Sequence, residues 1–165
     1  IGVRPVLIRV MRQLLRRALH GALLLSLGVG ALGNAWAADG RLAVIVAANG
    51  GPTNGWSLED LALIYRRKKQ FVGSARVQPI NLPAQHPLRR FFSQQVLHKT
   101  PEELEDYWRD LYFNGISPPF VLASEEAMIR FVASTPGAVG YVSQCVADKR
   151  VVVVARIDGG PACSK

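Results

Sequence analysis

PFVLASEEAMIRFVASTPGAVGYV, residues 119–142, holds a helix start, a helix stop and a buried strand in one run. Ser124 is an N-cap residue, and Glu125 and Glu126 follow it where the helix dipole favours negative charge. Met128, Ile129 and Val132 recur at helical spacing and form one apolar face. Thr135-Pro136-Gly137 ends the helix, because proline cannot continue it and glycine allows the reversal. Ala138 to Val142 then reads as a strand whose small residues permit close packing.

Working outward, Leu42 to Asn49 is a continuous apolar run of the kind buried on both sheet faces. The Gly/Pro/Asn-rich stretch 49–55 is a loop. Ser57 opens a helix with Asp60 at the capping-box position, and Leu58, Leu61, Ala62 and Tyr65 form its stripe. Arg66-Arg67-Lys68-Lys69 closes that helix, and Val77 to Leu82 reads as a short strand. Pro87 starts a further helix with Leu88, Phe91, Phe92 and Val96 on one face. Thr100-Pro101-Glu102-Glu103 is a helix start of cap, N1 proline and acids. Leu104, Tyr107, Trp108, Leu111 and Tyr112 follow at helical spacing, so the aromatics are expected in the core. A short strand before Ser124 and a last strand over Arg150 to Ile157 complete the order. Strands alternating with helices predict an α/β domain, a mixed, mostly parallel sheet flanked by helices.

Residues 1–37 read as a targeting segment. Arg12, Arg16 and Arg17 make a basic region, Gly21 to Gly33 is uncharged and apolar, and Ala35-Trp36-Ala37 is a cleavage site. Met11 is the expected translation start, cleavage is expected after Ala37, and the exported domain is 38–165. The net charge of +8 follows largely from this leader, which holds five arginines and no acid. Residues 38–165 carry fifteen basic against twelve acidic residues, net +3, which is poor support for a nucleic-acid partner. Both cysteines, Cys145 and Cys163, lie in the exported part, where an oxidising periplasm permits a disulfide. No C-x-x-C accompanies them, which argues against a redox pair.

The chemistry-bearing residues are few. His86 and His98 lack the spacing and companions of a zinc site. No G-x-S-x-G, P-loop or G-x-G-x-x-G occurs, so no catalytic residue, metal or cofactor is assigned. The basic tetrad 66–69 has two open readings, a solvated helix end or a patch for an acidic lipid or partner. Leu82 to Arg90 joins a strand end to a helix start, where open α/β sheets bind ligands and helix N–H groups attract anions. Gln85, His86, Arg89 and Arg90 are the candidate anion ligands there, with Thr53 and Asn54 from the first loop directed at the same edge. Pro87 removes one N–H donor from that set.

Several of these stretches, taken in order, resemble the phosphate-type substrate-binding proteins of ABC transporters. Leu58 to Lys68 looks like the family's L-x-x-I-F-x-G-K segment, with Tyr65 at the Phe position. Val77 to Leu82 looks like the strand after it, and Tyr107-Trp108 like its helix tryptophan. Thr135 to Val142 is the nearest match, to TPGAIGYV. The resemblance spans about residues 42–145 and implies one lobe of a type II periplasmic-binding-protein-like fold. Full members have two lobes and hold the anion between them. The family's Ser-Gly-Thr loop falls where Gln85-His86-Pro87 stands, so its hydroxyl and glycine donors are replaced. Two functions follow from the resemblance. One is a non-enzymatic binding protein for phosphate or another small oxyanion, tied to an ABC transporter. The other is an interaction or sensory module that has lost its solute and docks on a membrane transport or signalling partner, or on a second copy as a homodimer.

Overall fold

The apolar run after the leader becomes strand β1, Gly40–Ala47, with Leu42 to Ala47 all buried. The computed structural model describes residues 40–49 and 55–163, so the segment 1–37, expected to be a leader cleaved after Ala37, lies outside the described residues. Ser57 caps helix α1, Leu58–Tyr65, and accepts from the Asp60 amide at 3.0 Å, as the capping box predicts. Leu61, Ile64 and Tyr65 are its buried face. Leu58, placed in that stripe by spacing, is exposed, since first-turn residues project beyond the sheet it covers. A small hairpin follows, β2 Phe71–Val72 and β3 Ala75–Arg76, and then β4, Gln78–Asn81. Helix α2, Pro87–Phe92, widens into a π-type turn over Ser93–Leu97.

Thr100 and Glu103 cap each other reciprocally, Thr100 Oγ1 accepting at 3.3 Å and Glu103 Oε2 at 2.6 Å. A 3₁₀ turn, Glu102–Leu104, leads into α3, Glu105–Phe113. Here the structure corrects the reading of the aromatics. No residue of α3 is fully buried; Tyr107 and Trp108 are half-buried against the core, and Tyr112 is 67% exposed. Helical spacing shows which residues share a face, and α3 lays only part of that face on the domain. The short strand β5, Phe120–Val121, precedes α4, Glu125–Ser134. Ser124 accepts from the Ala127 amide at 3.2 Å, and Met128, Ile129 and Val132 are buried. Strands β6, Ala138–Ser143, and β7, Val151–Gly160, finish the chain.

The sheet order is β5-β4-β6-β1-β7. β4 pairs parallel with β5 and β6, and β1 pairs antiparallel with β6 and β7, so four of five strands share one direction. The mixed, mostly parallel α/β sheet read from the sequence is the observed one. β6 is central and buried along its whole length. Its alternate residues meet different helices: the Tyr141 ring stacks on Phe92 at 4.3 Å and lies 5.9 Å from Tyr65. A Cβ on Gly140 would sit 2.4 Å from Met128 Sδ. Hence α1 and α2 cover one face and α4 the other. Cys145 and Cys163 form a disulfide that ties the residues after β7 to those after β6. At the outer side of β7, the Trp56 amide donates to the Val154 carbonyl at 3.2 Å, where the register with β1 skips a residue.

Two glycines set a ranking. Gly137 has φ +81°, and a Cβ there would lie 2.2 Å from the Arg76 carbonyl oxygen; at Gly140 the obstacle is the end of a methionine. Backbone cannot yield as Met128 can, so Gly137→Ala is expected to cost about 2–4 kcal/mol and Gly140→Ala about 1–3. Urea unfolding of both variants checks this, and equal costs would refute the ranking. Reducing the disulfide, which spans 18 residues, is expected to lower stability by about 3 kcal/mol in the same assay.

Candidate functional site

The parallel strands β4, β5 and β6 end on one edge of the sheet, and the Leu82–Arg90 segment starts there. Asn81 is the last residue of β4, and its carbonyl accepts from the Leu122 amide at 2.8 Å, which holds β5 beside it. The Asn81 side chain turns inward and is 4% exposed. Its Oδ1 accepts from Arg89 Nη1 and from the Tyr141 hydroxyl, the latter at 3.3 Å. The same hydroxyl accepts from the Leu82 amide at 3.3 Å. Beside it, the Tyr65 hydroxyl reaches the carbonyls of Ile80 and Val139 at 3.2 and 3.1 Å. Burial pushes both phenols above their usual range, and each pulls against the nearby Arg89 guanidinium, which favours the ionised form.

Arg89 is therefore a buried cation, 7% exposed, with neutral oxygens around it. Among the described residues no carboxylate lies within ion-pair distance of it. The other candidates are differently placed. Arg90 is exposed and paired with Glu102 at 2.6 Å. His86 caps α2, Nδ1 accepting from the Leu88 amide at 3.3 Å, so the ring proton resides on Nε2. Gln85 is exposed at the turn before it. Thr53 and Asn54 lie outside the described residues; β1, which precedes them, runs against β6 and ends at the opposite edge from Asn81.

The sequence reading missed Asn81 as the partner of Arg89, and the Tyr141 and Tyr65 hydroxyls beside it. Tyr65 and Tyr141 were visible only as apolar positions in a helix stripe and a strand. The one available signal was Asn81 itself, a polar residue ending an otherwise apolar strand. The basic tetrad 66–69 is largely structural. Arg66 Nη2 donates to the Leu97 carbonyl at 2.8 Å, Lys69 pairs with Asp60 at 2.7 Å, and the Arg66 carbonyl accepts from Tyr107.

No known family model matches the chain, and no curated protein matches its sequence. Solved structures do. An ABC-type phosphate transport receptor from Vibrio cholerae aligns over 70% of this chain at 22% identity and TM-score 0.56. A putative phosphate ABC transporter substrate-binding protein from Clostridium perfringens, solved with bound phosphate, aligns over 70% at 19% and 0.56. PstS from Borrelia burgdorferi aligns over 70% at 21% and 0.54. The match takes in 45%, 44% and 47% of those three chains, so the protein spans under half their length. At these identities the likeness shows the fold: the chain folds like part of a phosphate-type substrate-binding protein, and the resemblance carried by Thr135–Val142 holds at that level.

The polar network gives a direct expectation. Tyr141→Phe leaves the buried Leu82 amide and one side of Asn81 without their partner. The expected loss is about 1–3 kcal/mol in urea unfolding, with the aromatic stacking retained. A loss within experimental error would show the hydroxyl to be dispensable.

Proposed function

We propose that the protein is an exported, non-enzymatic solute-binding-like domain. It takes phosphate or another small oxyanion at the carboxyl edge of β4 and works alongside an ABC transporter. The observation that carries this is Arg89. A guanidinium with only neutral partners is costly to take out of water unless an anion compensates. It sits at the strand ends where open α/β sheets bind ligands. His86 Nε2, Gln85 and, after release from Glu102, Arg90 are the further donors. The disulfide fits an oxidising compartment outside the cytoplasm, in keeping with a leader over 1–37 and export of 38–165.

The second reading is docking on a membrane transport or signalling partner, or on a second copy. It is favoured by the exposed Tyr112, Phe113, Phe120 and Val121, which flank the loop 114–119. Isothermal calorimetry with phosphate and with sulfate separates the two. The expected outcome is saturable heat at millimolar anion or below, weakened roughly tenfold or more in Arg89→Gln. Circular dichroism checks that the variant is folded. Folded wild-type protein that gives no heat with either anion sinks the oxyanion reading and leaves docking.

A further inference from the structure

The opposite edge of the sheet holds a different feature. A cleft of about 480 Å³ opens at the amino ends of β4 and β5, lined by Arg67, Arg76, Gln78, Ser117 and Phe120. That volume lies in the range of small-ligand sites. Its walls include four prolines, Pro79, Pro118, Pro119 and Pro136, which are rigid and carry no amide proton. Among the described residues no acidic one lines it, so the two arginines set its charge. Neither arginine is ion-paired among the described residues. Arg67 Nε is buried without a hydrogen-bond partner, although a buried donor is nearly always satisfied.

The place of Arg67 follows from the way α1 ends. Arg67 has φ +63°, the left-handed region that a long side chain rarely adopts. The chain holds this conformation through amides that turn back on α1, Arg67 N to Ile64 O at 2.9 Å and Lys68 N to Leu63 O at 2.8 Å. This is the left-handed residue of a Schellman-type helix end, and it turns the chain off α1 beside the cleft. Arg67 and Arg76, the latter at the end of the hairpin, both line that cleft. Phe120 and the prolines supply a flat apolar wall beside the two guanidinium groups. That combination fits an anion with an apolar body better than a bare, strongly hydrated ion.

We infer that this cleft is a second binding site, which takes a small oxyanion carrying a ring or other apolar body. The oxyanion is held by Arg67 and Arg76, and the body rests on Phe120 and the prolines. The site is separate from the Arg89 edge and does not depend on the reading given to that edge.

Phenyl phosphate is the probe, followed by ¹H–¹⁵N NMR titration, with phenol as the uncharged control. The expected result is saturable shifts at Ser117, Phe120 and Arg76 with phenyl phosphate and none with phenol. Arg67→Asn keeps a residue that tolerates the left-handed conformation, and Arg76→Gln changes an exposed strand position, so both variants are expected to fold. Combined, they weaken phenyl phosphate binding at the cleft, read at Ser117 and Phe120, roughly tenfold or more, while the shifts at those two residues persist in Arg89→Gln. Absence of saturation at millimolar probe, equal binding of phenol, or binding unaffected by the double variant would each overturn the assignment. Loss in Arg89→Gln alone would place the probe at the other edge and overturn it as well.

Discussion

Tyr141 is the side chain on which the rest of this structure leans. It stands at the middle of the central strand β6, between the rings of Phe92 and Tyr65 that α2 and α1 bring to one face. Its hydroxyl meets Asn81 and the Leu82 amide where β4 ends. One residue therefore fixes the distance between two helices and the sheet, and also the course of the chain as it leaves β4. The residue before it, Gly140, permits the reverse arrangement on the other face, where Met128 of α4 presses against bare backbone. A large ring on one side and no side chain on the other is how a six-residue strand is buried on both faces.

Residues whose roles are local were legible in the sequence. Ser57, Thr100 and Ser124 cap their helices because capping needs only a hydroxyl and an amide three positions on. Gly137 reverses the chain at φ +81°, where a Cβ would also meet the Arg76 carbonyl. What stayed hidden depends on neighbours distant in the chain. The hairpin Phe71–Arg76 has strands of two residues, too short for any alternation to register. The stripe on α3 was correctly periodic, yet Tyr112 faces outward because periodicity does not say how much of a face is covered. Its place at a helix start marks Arg89 as a candidate anion ligand, and nothing in the spacing marks it as buried. Its burial follows from Asn81 and Tyr141, eight and 52 positions away, which spacing cannot bring together.

The two ends of the sheet differ in kind. At the carboxyl edge, the cation is deep and wrapped in neutral oxygens, so its field acts through a low-dielectric neighbourhood. At the amino edge, the arginines line an open cleft with rigid walls and share their space with an apolar surface. Most of the remaining charge is paired on the surface: Arg41 with Asp158, Arg150 with Asp148 and Glu126, Arg109 with Asp106. Such exposed pairs contribute little to stability. Of the described cations that have no carboxylate partner, Arg89 alone is buried.

Both margins of the sheet are closed to further strands. β5 offers only two residues to a newcomer, and the outer side of β7 is already occupied at its midpoint by the Trp56 amide on Val154. The skipped register there twists the strand away from a straight template. A second copy of this chain, or any extended segment, finds no long row of open backbone groups to extend. Strand-by-strand growth is thereby discouraged at both margins, which favours association through side chains.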